Sequence, residues 1–245
     1  MAEFKIKIAG HTAAVRSLFE STRDYCGRYL SEDEPGVTLT VSPDDLIFEQ
    51  AQYDQEALEE GFRRRKFTDP FLERTAIQRK LAEFLFDQGI LMTHGSAIAV
   101  DGGGYLFTAR SGTGKSTHTR LWREIFGDRA IAINDDKPFL DLSGETILVC
   151  GAPWSGKHGL DTNITVPLAG ICILERGSED KIFRVKAEDA LPMLLHQSYR
   201  PLSPDREDTF RQLVETLATK TPLWRMECTR DPRAARVAFD AMSNP

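Results

Sequence analysis

The densest chemistry in the chain lies in Ala109-Arg110-Ser111-Gly112-Thr113-Gly114-Lys115-Ser116-Thr117, which carries the Gly-Lys-Ser of a phosphate-binding P-loop, or Walker A motif. Glycines at 112 and 114 let the backbone take φ > 0 and approach an anion closely. Consecutive N–H groups then line a concave nest, and the positive end of the helix that follows adds to the field. Lys115 is spaced to reach the β- and γ-phosphates, and the Ser116 hydroxyl to ligate Mg²⁺. Residues 110 to 117 are therefore the expected nucleotide-binding set. The usual pattern has glycine where this chain has Ala109.

A second group follows twenty residues after Lys115, where Asp135-Asp136 closes a short apolar run. Phosphoryl transfer needs a carboxylate to hold Mg²⁺ and often another to receive the acceptor's proton. Asn134-Asp135-Asp136-Lys137-Pro138 is also good turn chemistry, so the pair gains its meaning from the loop before it. A third group is Trp154-Ser155-Gly156-Lys157-His158. It offers a flexible backbone and a cation, and Lys157 is suited to neutralise charge as the γ-phosphoryl moves. An exposed loop with Trp154 packed inward explains the same residues. Arg110 is a further candidate cation.

The elements that must position these groups are legible in the apolar spacing. Ala97 to Val100 and Tyr105 to Thr108 flank Asp101-Gly102-Gly103-Gly104, which predicts a β-hairpin running directly into the P-loop. Most P-loop folds launch that loop from a parallel strand after a crossover, so an antiparallel hairpin is a discriminating detail. A helix is expected over 116–126, with Leu121, Trp122, Ile125 and Phe126 on its buried side. Strands follow at 130–133, 139–142 and 146–150. Val166 to Leu174 is the most apolar run and reads as a central strand. Beyond it come a strand at 182–185, helices at 189–197 and 204–219, a strand at 223–228 and a helix at 234–242. Upstream, the spacing predicts a strand at 4–8, a helix at 13–30, a strand at 37–41, a polar helical segment to residue 61 and an amphipathic helix at 70–88. The basic run Arg63-Arg64-Arg65-Lys66 reads as a solvated face or loop, or as a docking patch for an acidic or phosphorylated partner.

Bulk properties limit the field. With 245 residues, 41% hydrophobic and 28% charged, the chain is long enough for a sizeable core plus a small satellite. A formal net charge of −6 argues against a nucleic-acid surface. Four cysteines at 26, 150, 172 and 228 have neither metal-site nor disulfide-framework spacing and read as reduced thiols, which fits a cytoplasmic protein. No apolar stretch is of membrane-spanning length, and the N-terminus lacks a signal-peptide core.

His94-Gly95, the hairpin, Ser111 to Ser116 and Asp135-Asp136, in that order and spacing, resemble the catalytic domain of the HPr kinase/phosphorylase family. The loop and aspartate pair are also similar to ATP-dependent phosphoenolpyruvate carboxykinase. The resemblance covers residues 93 to 142 well and becomes looser to about 176. It implies an α/β P-loop fold with a mixed sheet, placed over 69–245; the first 90 residues and the C-terminal third align to neither family, and the spacing upstream reads as a small α/β region over 1–68. The resemblance implies ATP and a divalent cation, Mg²⁺ or Mn²⁺. It gives Ser116 and Asp136 as metal-linked groups, Asp135 as general base with the two aspartates exchangeable, and His94 as a group near the transferred phosphate. Glu175-Arg176-Gly177 lacks the spacing of the family's later Glu-x-Arg-Gly-x-Gly signature, and no carboxykinase substrate clamp is recognisable. The expectation is an ATP-dependent kinase acting on a serine of a peptide or protein or on a small alcohol, with a homo-oligomer left open. The rival is a nucleotide-sensing module without phosphotransfer.

Overall fold

The computed structural model describes residues 1–59 and 61–243, which form two compact units, Met1–Leu85 and Phe86–Pro245. In the first unit, β1 (Ala2–Ile8) and β2 (His11–Ser17) form an antiparallel hairpin. Its two-residue turn puts Ala9 and Gly10 at φ 49° and 79°, the geometry that matches strand twist. The helix expected over 13–30 is therefore wrong in its first part. Thr12, Ala13, Val15 and Ser17 are buried in a strand, and helix α1 occupies only Glu20–Tyr25. Local propensity favoured a helix, but the hairpin turn set the chain in extended form. Strand β3 (Val37–Thr40) pairs with β2 in parallel. Two helices follow, α2 (Pro43–Glu59) and α3 (Asp69–Phe86). Arg63 to Lys66 are exposed between them, outside any regular element.

Nearly all of α3 belongs to this first unit, whereas the expected boundary lay before it, at 68/69. The cause is Glu73. It is fully buried, and its carboxylate accepts from the Leu18 and Phe19 N–H groups and the Thr22 hydroxyl. A buried carboxylate with that many donors anchors its helix to the segment that supplies them.

The second unit is built on a mixed sheet. Its strands are β4 (Ile90–Met92), β5 (Ser96–Val100), β6 (Gly103–Thr108), β7 (Ala130–Asn134), β8 (Phe139–Asp141), β9 (Leu148–Cys150), β10 (Thr165–Arg176), β11 (Lys181–Arg184) and β12 (Leu223–Cys228). They run in the order β4-β8-β9-β10-β6-β5-β7, with β12 beside β10 and β11 beside β12. The hairpin β5–β6 is present, turning at Asp101 and Gly102 with φ 52° and 84°. Strand β10 is central: it runs parallel to β6 and β12 and antiparallel to β9. Strand β4 falls in a stretch for which no strand was expected.

Both sheet faces are covered, which explains the uninterrupted apolar runs. On one face Ala97, Ala99, Leu106, Ile171 and Ile173 pack with Leu194 of helix α5 (Ala187–Gln197) and with Phe210, Val214 and Leu217 of helix α6 (Glu207–Lys220). On the other, Ile98, Tyr105, Phe107, Cys172 and Leu174 meet Leu121 and Trp122 of helix α4 (Lys115–Phe126) and Ala235 and Ala238 of helix α7 (Arg233–Met242). The four cysteines are free thiols. No helix among the described residues is long and apolar enough to cross a membrane.

Candidate active site

The P-loop leaves the sheet at the end of β6. Gly112 and Gly114 have φ of 73° and 124°, so both need glycine for the reason expected. Ala109 has no positive φ; its methyl is fully buried in the core on that face. Alanine at this place is a packing residue, and its carbonyl accepts from Lys115 Nζ at 3.3 Å across the loop. The helix over Lys115–Phe126 starts with His118 N–H donating to the Gly114 carbonyl at 2.9 Å, and no side chain caps it. The first-turn N–H groups thus remain available to an anion. Lys115 is buried, and desolvation, together with the charge of Lys137, holds its pKa below the ordinary value against the pull of Asp136.

Strand β7 carries the aspartate pair to the loop. The Ser116 hydroxyl donates to the Asp135 carbonyl at 3.4 Å. Asn134, fully buried and absent from the expected site, organises the turn. Its Nδ2 donates to the carbonyls of Ala152 and Trp154, and its Oδ1 accepts from the N–H groups of Asp136 and Lys137. Turn chemistry and site chemistry are the same residues here.

Asp135 is 4% exposed; Gly156 N–H donates to its Oδ1 at 2.6 Å, and Oδ2 is buried with no hydrogen-bond partner. Burial is the main reason its pKa is raised, and the neighbouring Asp136 adds to it, outweighing the Gly156 bond and the charge of His158. Asp136 behaves in the opposite way. Burial raises its pKa, but the bond from His94 and the charges of Lys137 and Lys115 win, so it is held below the ordinary value. The environments thus divide the pair into one basic carboxylate and one firmly ionised one.

His94 Nε2 lies 3.3 Å from Asp136 Oδ1. That bond favours the imidazolium, yet desolvation and the charges of Lys137 and Lys115 leave its pKa lowered. Its backbone is clamped: the N–H donates to Gln197 O at 2.7 Å, and its carbonyl accepts from the Thr108 hydroxyl at 3.1 Å. Gly95 N–H donates to Asp136 O at 3.0 Å, and a Cβ at position 95 would stand 2.6 Å from Leu106 Cδ1. Glycine is required there by close packing.

The structure therefore brings together Lys115, Ser116, Asp135, Asp136 and His94, and adds Asn134, Lys137 and Gly156. The 154–158 loop joins the site through the Gly156 backbone, with Trp154 buried behind it. The side chains of Lys157 and Arg110 are exposed, and no contact ties either to the aspartate pair. Ser111, Gly112, Thr113 and Thr117 lie on the loop with intermediate or full exposure.

Among the described residues no cluster of three or more His, Cys, Asp or Glu side chains could by itself hold a metal ion. The donor set still suits Mg²⁺ or Mn²⁺. Such ions are commonly held by one or two carboxylates with the rest of the shell from phosphate and water. A hydroxyl at 116 and an ionised Asp136 are hard oxygen ligands of that kind.

The fold and site define an α/β P-loop protein with a mixed sheet and an acidic pair beside the loop. No family model matches the chain, and no curated protein matches it. Among solved structures it is similar to the HPr(Ser) kinase/phosphatase from Coxiella burnetii, at 14% identity over 62% of this chain and 99% of that one, with a TM-score of 0.36. A likeness at that level says nothing of activity.

Proposed function

We propose that the chain is an ATP-dependent phosphotransferase that moves the γ-phosphoryl group to a hydroxyl, either a serine of a peptide or protein or a small alcohol. The observation that carries this reading is Asp135, a buried carboxylate of raised basicity whose Oδ2 has no partner, set against the P-loop serine. An unpaired buried acceptor is costly, and an acceptor hydroxyl would satisfy it by donating its proton there. Loop amides and Lys115 would hold the phosphates and take up the charge that develops during transfer. A divalent cation held by Ser116 and Asp136 would supply charge neutralisation at the phosphates. Neutral His94 would keep Asp136 oriented, and Gly156 N–H would fix the other oxygen of Asp135.

The test is γ-labelled ATP with a panel of serine peptides and small alcohols. Lys115→Ala should abolish ATP binding, and Asp135→Asn should abolish transfer while leaving ATP affinity within a few-fold. A slow ATPase with no labelled acceptor and no response to Asp135→Asn would favour the nucleotide-sensing module instead.

A further inference from the structure

Strands β6, β10 and β12 run parallel, so their C-terminal ends open on one edge, the usual place for a ligand in such a sheet. There a cavity of ≈ 330 Å³ is lined by Gly112, Gly114, His118, Arg176, Thr229 and Arg230, among others. Its volume is at the low end of small-molecule sites, which span about 300–1,000 Å³. It shares both loop glycines with the phosphate nest but includes none of His94, Ser116, Asp135 or Asp136. Whatever occupies it touches the nest from a side distinct from the aspartate pair.

His118 gives the cavity a specific chemical demand. It is 2% exposed, and its Nε2 accepts from Trp122 Nε1–H at 3.1 Å. An indole N–H only donates, so Nε2 is the bare nitrogen and the proton of the neutral ring sits on Nδ1. Burial pushes the His118 pKa down to about 4, which keeps the ring neutral at physiological pH. Nδ1 is buried without a hydrogen-bond partner; Phe107 and Trp122 pack against the ring, and the charged group that acts on it is Asp180, whose Oδ1 accepts from Thr229 N–H. An unpaired buried donor is costly, and an acceptor brought by a ligand in the cavity that His118 lines would satisfy it. Arg176 Nη2 donates to Gly112 O at 2.6 Å, so the cavity wall is joined to the phosphate loop. Arg176 and Arg230 are exposed at its rim, and guanidinium planes are suited to cover a heteroaromatic ring.

We propose that this cavity takes the nucleobase of the bound nucleoside triphosphate, with His118 Nδ1–H donating to a ring acceptor of the base. The assignment rests on the nucleotide reading of the P-loop. It lays the nucleotide across the loop, base beside β10 and β12 and terminal phosphate toward Ser116 and Asp135.

The test is calorimetric titration of the full chain, in Mg²⁺, with ATP, inorganic tripolyphosphate and the 1-, 3- and 7-deaza analogues of ATP. ATP should bind at least about tenfold more tightly than tripolyphosphate, and one deaza analogue should lose about tenfold. In His118→Phe that analogue and ATP should bind alike, with tripolyphosphate unchanged. ATP and tripolyphosphate binding equally would overturn the base site and leave the phosphate loop standing. A flat deaza series would overturn the role of His118. Binding of neither ligand would overturn the nucleotide reading itself. Should His118→Phe fail to fold because Trp122 loses its acceptor, the deaza series on the unaltered protein decides alone.

Discussion

Asp135→Asn exchanges a buried carboxylate for an amide of nearly the same shape. The carboxylate's pKa is raised in the folded protein, chiefly by burial, from an ordinary value of 3.8. A raised carboxyl pKa means that the ionised form is disfavoured by folding. The penalty is fully felt above the folded pKa and absent below the unfolded one, where both states are protonated. Two effects set its size. The amide leaves its NH2 just as unpaired at the Oδ2 position, at about 1–3 kcal/mol in either residue, so the substitution relieves only the extra cost of carrying charge there, about 2 kcal/mol. Against that, the Gly156 N–H bond weakens by about 1 kcal/mol when its acceptor loses charge. The net expectation at neutral pH is a gain of about 1 kcal/mol, or about 2–4 °C in Tm for a chain of this size. Urea denaturation followed by tryptophan fluorescence, from about pH 8 to about pH 4, reads this directly. The variant should be the more stable at the upper end, and the gap should close toward the lower. A variant less stable by 1 kcal/mol or more at neutral pH would refute the reasoning, because the Gly156 bond would then outweigh the desolvation of the charge.

The pH profile of phosphoryl transfer should show an acid limb above the ordinary carboxylate range, since Asp135 must be ionised to accept a proton and its pKa is raised; Asp135→Glu should move that limb, and a limb at ordinary carboxylate pH would count against it. Gly156→Ala would place a Cβ 3.3 Å from both carboxylate oxygens of Asp135, so transfer should fall by about tenfold or more while ATP affinity by calorimetry stays within a few-fold. In the first unit, Glu73→Ala leaves the Leu18 and Phe19 N–H groups and the Thr22 hydroxyl without their acceptor. Urea melts should show a loss of about 2–4 kcal/mol, and an unchanged midpoint would contradict the anchoring role.

Local chemistry makes much of the fold legible in the sequence. Asp101-Gly102 is a turn whose two residues tolerate φ > 0, so the hairpin into the P-loop follows from the sequence. The apolar run of β10 announced a strand covered on both faces, and it is the central one. The failures came where distant residues decided. Residues 13–17 read as helix, but their conformation is set by the cross-strand partners Phe4 and Ile6. Nothing local to Glu73 reveals that its hydrogen-bond donors lie more than fifty positions upstream, so the sequence does not show which segment α3 packs with.

The candidate site divides in the same way. Gly112, Gly114, Lys115 and Ser116 were determined by the sequence itself, because backbone freedom and a lysine and hydroxyl at fixed offsets are local properties. The aspartate pair was also visible, but its division into a basic Asp135 and an ionised Asp136 was decided only by the tertiary structure. Burial, Gly156 from 21 residues away and His94 from the start of the hairpin set the two environments apart. Electrostatics and desolvation act through space, where sequence distance carries no information. The cavity beside His118 is the extreme case. Its walls come from the P-loop and the ends of two strands, and the unsatisfied nitrogen that gives it a chemical preference exists only once Trp122 has taken the other one.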